Sequence, residues 1–222
     1  MGTTQRKERE RDQRRRDILD SARIAFLKYG ITTTTMERIA QEAELAKGTL
    51  YLYFRNREEL LMGLLADDIS TLTTAMDSVV SSPLPPPEKL ELAFATFYTY
   101  SQENQLFYQM MTQTNIGLMM TNVDDNPTVA HFQSVNDRLI GLVESIVEQG
   151  VQQGYFLLHG HLRLVVAEII IAMKGSVMIL RNNLIPPGWV RDGEEVVLRD
   201  IVKLIIRGLQ RHPSSNNGVR VL

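Results

Sequence analysis

Apolar residues recur at steps of three and four along almost the whole chain, which is the spacing of one face of an α-helix. The segment 12–29 shows this spacing clearly, and Gly30 ends it as glycine commonly ends a helix. No stretch alternates apolar and polar residues for long enough to indicate a strand. The pattern therefore predicts an all-α fold.

Interruptions of the pattern predict about nine helices and four parts of the chain. After 12–29 comes a short helix capped by Thr34 or Thr35, and then one of about two turns that begins near Lys47. The other helices are predicted over 58–80, 88–103, 105–120, 128–152, 161–183 and 193–211, with a proline-rich linker after the first of these. We expect a flexible basic arm over 1–12, an N-terminal three-helix domain with a helix-turn-helix over 13–60, a C-terminal helical domain over 61–211 and a flexible tail over 212–222.

Composition narrows the classes of function. Cysteine is absent, which excludes disulfides, thiolate metal sites and a cysteine nucleophile. The N-terminus is charged, unlike a secretory signal, and the most apolar stretch carries Glu168 and Lys174, so we expect a cytoplasmic protein without a membrane partner. His159 and His161 have no carboxylate beside them in the sequence, and no nucleophile motif occurs. We therefore expect no enzyme, no cofactor and no metal site.

Charged residues are distributed unevenly along the chain, although the formal net charge of the whole chain is only −2. Residues 1–62 contain 13 Lys and Arg against 10 Asp and Glu, whereas the remainder contains 11 against 16. A net charge near zero is unlike that of a nonspecific nucleic-acid binder, but the positive end of the chain is the end with the short helices.

The short helix near Lys47 carries more aromatic residues than one buried face can hold. Leu50 and Phe54 lie four residues apart and can pack into a core, which turns Tyr51 and Tyr53 outward. Outward phenols can reach phosphates or base edges of DNA. Each such residue alone is more often a partly buried or solvated side chain, so the prediction depends on their combination. The candidate set is Lys47, Gly48, Thr49, Tyr51, Tyr53 and Arg57.

Three blocks in order, ILDSARIAFLKYG, TTTTMERIAQEAELAKGTLYLYF and RNREELL, span 18–65. This stretch resembles the DNA-binding domain of the TetR/AcrR family of bacterial transcriptional regulators. The resemblance implies a ligand-responsive, sequence-specific regulator, most commonly a repressor that a small molecule releases from double-stranded operator DNA. It also implies that Lys47, Gly48 and Tyr51 approach bases, and that Thr34 or Thr35, Thr49, Tyr53 and Arg57 touch phosphates.

The sequence departs from the family pattern at two positions. Arg57 replaces a more usual lysine, which keeps the charge but changes the donor geometry. Glu44 stands where the family usually has glycine in the turn. A left-handed backbone there would cost about 1 kcal/mol, and the alternative is a shifted turn. The basic arm could enter a minor groove, follow the DNA backbone or be merely disordered and solvated.

The last two predicted helices, 161–183 and 193–211, are apolar on more than one face. A helix of this kind must be covered on more than one side. We expect a homodimer in which helices eight and nine of two protomers form a four-helix bundle, which the resemblance also implies. The alternative is complete burial within a monomer.

Aromatic residues and methionines concentrate in the fifth to seventh predicted helices. Most are expected to be core, but polar neighbours could complete a mostly apolar cavity for an apolar or aromatic effector. Two alternatives are a constitutive DNA-binding protein without an effector and a ligand-binding protein with a vestigial helix-turn-helix. The candidate ligand residues are Phe94, Phe97, Tyr98, Phe107, Tyr108, Met111, Met119, His131 and Phe132.

Overall fold

The computed structural model of the protein describes residues 3–117, 126–186, 188–190 and 193–210. Within these ranges every regular element is an α-helix, which confirms the all-α prediction. The helices are α1 Thr3–Tyr29, α2 Met36–Glu42, α3 Lys47–Tyr51, α4 Arg57–Ser81, α5 Pro86–Glu103, α6 Gln105–Gln113, α7 Pro127–Gln152, α8 Leu162–Arg181 and α9 Glu194–Leu209. The predicted tail over 212–222 lies outside the described residues.

Helix α1 begins at Thr3, much earlier than the predicted start near residue 12. The segment 3–12, expected to be a flexible arm, is therefore helical in the structure. Its arginine, glutamate, lysine and glutamine residues are all good helix formers. Arg6 Nε also lies 2.8 Å from Glu10 Oε1, one helical turn away. The prediction missed this extension because it followed apolar periodicity, and the segment has no apolar residues.

Helices α1, α2 and α3 pack around a small apolar core. Ile18, Phe26, Ile39, Leu50 and Phe54 are all fully buried. Helix α3 is shorter than the two turns predicted, but the chain continues as a turn in which the Phe54 amide donates to the Leu50 carbonyl at 3.1 Å. The predicted helix-turn-helix domain thus has the expected elements and the expected core residues.

The described residues form two compact units. One contains the described residues up to 73 and those within 100–138, and the other contains those within 74–99 and those from 139 onward. Helices α4, α5 and α7 each continue from one unit into the other. This division differs from the boundary predicted near residue 60, because sequence breaks mark helix ends and these three helices cross the boundary uninterrupted.

In the second unit, the buried Lys89 of α5 forms hydrogen bonds with the C-terminal parts of α4 and α7. Lys89 Nζ donates to the carbonyl oxygen of Val80 at 2.6 Å and to Gln149 Oε1 at 3.0 Å. Prolines interrupt the chain between α4 and α5 as predicted, and α5 begins at Pro86, where a missing amide proton costs no hydrogen bond. Among the described residues, no helix combines the length and apolar character required to span a bilayer.

Candidate nucleic-acid interface

The turn between α2 and α3 contains a residue in the left-handed conformation. Glu44 has φ 52°, so the position where the sequence departs from glycine keeps the backbone that glycine would favour. The Leu45 amide donates to the Ala40 carbonyl at 2.9 Å, which closes the end of α2. The turn has therefore not shifted, and Glu44 stays in a backbone region unfavourable by about 1 kcal/mol.

Helix α3 divides into a buried side and an exposed side. Leu50 lies in the core, whereas Tyr51 is 43% exposed. Nothing lies within 4 Å of a Cβ built on Gly48, so this position is open for close approach by another molecule. Leu52 is 75% exposed and was missed as a candidate; it follows Tyr51 directly and is available for apolar contact with a base methyl group. Thr49 and Tyr53 are half-buried.

Lys47 is held over this exposed side by an ion pair. Its ammonium group pairs with Glu37 of α2 and lies 5.8 Å from the centre of the Tyr51 ring. The hydrogen bond from Lys47 lowers the pKa of Glu37, and the same bond raises the pKa of Lys47. Exposed ion pairs contribute little to stability, so DNA can compete for the lysine at small cost.

Thr34 and Arg57, two of the predicted phosphate contacts, both donate hydrogen bonds to backbone carbonyl oxygens of the protein itself. Thr34 is buried, and its hydroxyl donates to the Gly30 carbonyl at 2.7 Å. Arg57 Nη1 donates to the carbonyl oxygens of Ile31 and Thr32 at 3.0 and 3.2 Å. The run of threonines made the choice of residue ambiguous, and the structure presents Thr35, the α2 cap, at the surface instead. Thr34 and Arg57 therefore hold the loop between α1 and α2.

A buried network that the sequence analysis missed joins α1, α4 and α7. Glu59 accepts the Thr128 hydroxyl on Oε1 at 3.0 Å and the Arg55 amide on Oε2 at 2.7 Å. Arg15 Nη2 donates to the Thr128 hydroxyl at 2.9 Å, and its guanidinium lies 4.8 Å from the centre of the Phe54 ring. Asn56 and Glu59 have capping-box spacing, but nothing in the sequence marks Thr128 as the partner of the Glu59 carboxylate.

Replacing Thr128 by valine is expected to lower the free energy of unfolding by about 1 to 3 kcal/mol, because the buried Glu59 carboxylate and Arg15 each lose a hydrogen-bond partner. Urea denaturation of the whole chain measures the change. Thr128→Ser keeps the hydroxyl and serves as the control, with less than half of the loss. A Thr128→Val variant as stable as the wild type would show that the network does not contribute to stability.

Asp68 is a second buried carboxylate in the same unit. Arg23 Nη2 lies 2.9 Å from Asp68 Oδ1, and the Tyr100 hydroxyl donates to the same oxygen at 3.4 Å. Burial raises the pKa of Asp68 despite the opposing pull of Arg23, and burial raises the pKa of Tyr100 to about 12. Since the folded pKa of Asp68 is raised, the stability that this group contributes is present at low pH and is lost as the pH rises through that pKa.

The candidate ligand residues do not gather at one site within the described residues. Phe94 and Tyr98 line a cavity of about 460 Å³ in the second unit. Glu88, Glu195 and Arg199 also line it, so its walls carry more charge than the sequence analysis expected. The remaining lining residues are Leu84, Glu91, Leu92, Ala95, Thr99, Leu198 and Val202.

The other candidates serve mainly as core. Phe97 is buried in the second unit and is not among the lining residues of the cavity. In the first unit, Phe107 packs edge-on against Tyr100 with ring centres 5.1 Å apart. Tyr108 and Phe132 in that unit are also buried, Met111 is half-buried and His131 is exposed, while Met119 lies outside the described residues.

The part of the chain that the structure describes contains no group of three or more His, Asp or Glu side chains placed to hold an ion. His159, expected to lack a carboxylate partner, has one: its Nε2 lies 3.0 Å from Glu168 Oε2. The two residues are nine positions apart, and a helix start between them brings them together, which adjacency in the sequence could not reveal.

The helix-turn-helix geometry coincides with a match to a known family. The family model of bacterial regulatory proteins of the tetR family matches residues 18–63, which contain α2, the left-handed turn and α3. The chain carries a DNA-binding domain of the tetR family. Its function class is accordingly a DNA-binding transcriptional regulator, as the sequence predicted.

Relatives of this chain are also regulators of transcription. The HTH-type transcriptional regulator YhgD of Bacillus subtilis (strain 168) is 25% identical over 142 residues, 64% of this chain and 71% of that protein. The HTH-type transcriptional repressor KstR2 of Mycobacterium tuberculosis (strain ATCC 25618 / H37Rv) is 26% identical over 148 residues, 65% and 70% of the two chains. The KstR2 structure superposes with a TM-score of 0.62, covering 90% of this chain and 96% of KstR2.

The fold is also shared with a solved structure that holds a ligand. The transcriptional regulator FadR from Bacillus subtilis in complex with stearoyl-CoA has a TM-score of 0.65 to this chain at 18% identity. The match covers 87% of this chain and 98% of FadR. It therefore extends well beyond the helix-turn-helix, into the helices that the sequence analysis assigned to ligand binding and dimerisation.

Proposed function

We propose that this protein is a homodimeric repressor that binds operator DNA in the cytoplasm and is released by a small-molecule effector. The observation that carries the proposal is the exposed side of α3, which presents Gly48, Tyr51 and Leu52 after a left-handed turn. A short helix placed in this way, with its apolar side on a core, is the arrangement that enters a major groove.

Individual residues then take different roles at the DNA. Lys47, Gly48 and Tyr51 face base edges, and the Glu37 ion pair holds Lys47 in position until DNA replaces it. We call the exposed side of α3, formed by Lys47, Gly48, Tyr51 and Leu52, the reading surface. Thr35, Thr49 and Tyr53 contact phosphates at its flanks. Thr34 and Arg57 act indirectly, by fixing the loop that leads into α2.

Two protomers are needed because one helix-turn-helix reaches only a few base pairs. Helices α8 and α9, in the predicted domain 61–211, carry the apolar surface that a partner would cover. Leu164, Ile171 and Met178 are exposed and stand seven residues apart, so they form one stripe along α8. A Cβ on Gly175 would meet nothing within 4 Å, which leaves room for close helix approach. Exposed Val196 and Leu204 extend the surface onto α9.

The cavity in the second unit is our candidate for the effector site. Phe94, Leu198 and Val202 supply apolar wall, while Tyr98 and Arg199 can bind a polar group. Tyr98 donates its hydroxyl to Glu194 Oε2 at 3.0 Å, so its ring orientation is fixed. The stearoyl-CoA complex of FadR and the description of KstR2 as a ketosteroid transcriptional regulator favour an effector with a large apolar body.

Release requires the effector to bind the DNA-free arrangement more tightly than the DNA-bound one. To move the population from almost fully bound to almost fully released, that difference must reach about 5.5 kcal/mol. Helix α4 starts directly after the helix-turn-helix and continues into the second unit, which makes it the covalent route between the two functions.

The test is binding to DNA from just upstream of the gene that encodes the protein, against an unrelated fragment of equal length, over a salt series. We expect tighter binding to the upstream fragment, with the preference persisting as salt weakens both complexes. Fatty acyl-CoA thioesters, sterols and small phenols are then added to the specific complex, and at least one class should release it. Equal binding to both fragments at every salt concentration would contradict the proposed function.

A further inference from the structure

The first four turns of α1 lie before the segment that matches the tetR family, which begins at residue 18. These turns are rich in basic residues, of which Arg15 contacts the helix-turn-helix core through the ring of Phe54. Between Thr3 and Asp17 they contain seven basic residues and four acidic ones. The seven are Arg6, Lys7, Arg9, Arg11, Arg14, Arg15 and Arg16.

Three of the basic residues share one face of the helix. Lys7, Arg11 and Arg14 are spaced by four and three residues, so their side chains project in nearly the same direction. Together with Tyr53, they line an open groove on the surface of the first unit. We call this feature the basic groove. Arg9 and Arg16 lie on the opposite face of the helix, about 180° away.

The acidic residues of the basic groove are already engaged by neighbours. Glu10 accepts a hydrogen bond from Arg6 Nε at 2.8 Å, and Asp17 accepts one from Gln13 Nε2 at 2.8 Å. In the described ranges of the chain, no ion pair is found for Lys7, Arg11 or Arg14. The groove therefore presents three cations without an ion-pair partner in the described part of the chain. Glu10 is paired with Arg6, and among the lining residues only the Asp17 carboxylate, whose charge a neutral glutamine does not cancel, opposes them.

Tyr53 connects the basic groove to the reading surface. It lies in the turn directly after α3, is half-buried and forms part of the groove wall. A DNA duplex seated on α3 would continue past Tyr53 towards Lys7, Arg11 and Arg14. The helix rises about 10 Å between residues 7 and 14, and phosphates follow one another by about 3.4 Å along the axis of one strand. Three cations over this length match about three phosphates.

We propose that the basic groove binds the phosphate backbone of double-stranded DNA beyond the base pairs that α3 reads. The proposal deepens the proposed function and rests on it for the position of the duplex. Charge complementarity and continuity with the reading surface favour DNA over an acidic protein partner. The contact adds affinity and salt dependence without adding sequence preference, because phosphates are the same in every sequence.

The decisive experiment compares two double variants of the full chain that remove equal charge from opposite faces of α1. Arg11→Gln with Arg14→Gln removes two of the three cations of the basic groove, whereas Arg9→Gln with Arg16→Gln keeps all three and removes only the hydrogen bond from Arg16 to Gln13. Affinity is measured over a salt series on three duplexes: the upstream fragment, the same site trimmed to the bases within reach of α3, and an unrelated fragment. Circular dichroism verifies that both variants keep the helix content of the wild type.

The groove variant is expected to bind the upstream fragment about tenfold or more weakly at physiological salt. The slope of log affinity against log salt concentration should become shallower by roughly 3 to 4. A dimer loses four phosphate contacts, and each contributes about 0.9 to the magnitude of the slope. On the trimmed site this difference should nearly vanish. The opposite-face variant should keep the slope of the wild type on all three duplexes.

Equal losses in the two double variants would overturn the proposal, because they would reflect net charge and not the groove. An unchanged salt slope in the groove variant would also overturn the proposal, because it would show that the basic groove does not bind DNA. Failure of the wild type to prefer the upstream fragment is a distinct result, which contradicts the proposed function. The two variants on the unrelated duplex then still decide the proposal, because phosphate contacts do not require a specific sequence.

Discussion

Replacing Ile171 by glutamate is expected to dissociate the dimer and lower operator affinity by about 100-fold or more. Ile171 lies in the middle of the apolar stripe of α8 and is 69% exposed in the protomer. In a two-fold interface each substitution occurs twice, and each would bury a carboxylate where an isoleucine should pack. Loss of the second helix-turn-helix then removes half of the contacts that hold the operator.

Ile24→Glu is the matched control for this prediction. Ile24 is 52% exposed on α1, outside the surface assigned to the dimer, and its substitution adds the same charge. Sedimentation equilibrium should give a dimer for the wild type and for Ile24→Glu, and a monomer for Ile171→Glu at the same concentration. A dimer of Ile171→Glu with wild-type operator affinity would show that the interface lies elsewhere.

Replacing Tyr51 by alanine is expected to weaken operator binding about 30-fold or more with almost no loss of stability. The side chain is 43% exposed, so truncation removes little packing from the core. A base or phosphate contact contributes about 1 to 3 kcal/mol in each half-site, and a dimer loses two of them. Lys47 also loses the aromatic ring that lies 5.8 Å from its ammonium group.

Tyr155 provides a tyrosine of equal exposure for comparison, since it too is 43% exposed and lies in the loop after α7. Fluorescence anisotropy with labelled upstream DNA should detect a loss for Tyr51→Ala and none for Tyr155→Ala, while thermal unfolding stays within a few degrees for both. If Tyr51→Ala binds the operator like the wild type, α3 does not read DNA through this face.

Helix positions and the helix-turn-helix were predictable because both depend on local signals. Apolar periodicity marked the buried side of α1 and α3, and Gly30 and the prolines marked ends. The same method missed residues 3–12, where charged helix formers make a helix without an apolar face. Periodicity detects a helix through the core it covers, so a fully solvated helix escapes it.

The choice among neighbouring side chains was less predictable. A run of four threonines gave no reason to bury Thr34 and expose Thr35, since that depends on how the loop meets α1. Arg57 has the expected charge, but its guanidinium donates to carbonyl oxygens of the loop between α1 and α2, and the sequence does not give the positions of those oxygens. Glu59 and Thr128 meet across 69 positions of the chain, and only the tertiary fold brings them together.

The ligand candidates show the same limit on a larger scale. Sequence identified a region rich in aromatic residues, but aromatic side chains are as common in core as in cavities. The fold places Phe94 and Tyr98 at a cavity and Phe107 and Phe132 in the core of the other unit. Charged walls at Glu195 and Arg199 come from α9, which the pattern had assigned only to dimerisation.

The central claim is that two α3 helices of a dimer read successive major grooves of one operator. Methylation protection of guanines on the upstream fragment tests it most directly, because the reagent attacks guanine in the major groove. The account predicts two protected patches, related by an approximate two-fold axis, with centres about 10 base pairs or a multiple of one turn apart. Protection of a single patch, or none at protein concentrations that retard the fragment, would contradict it.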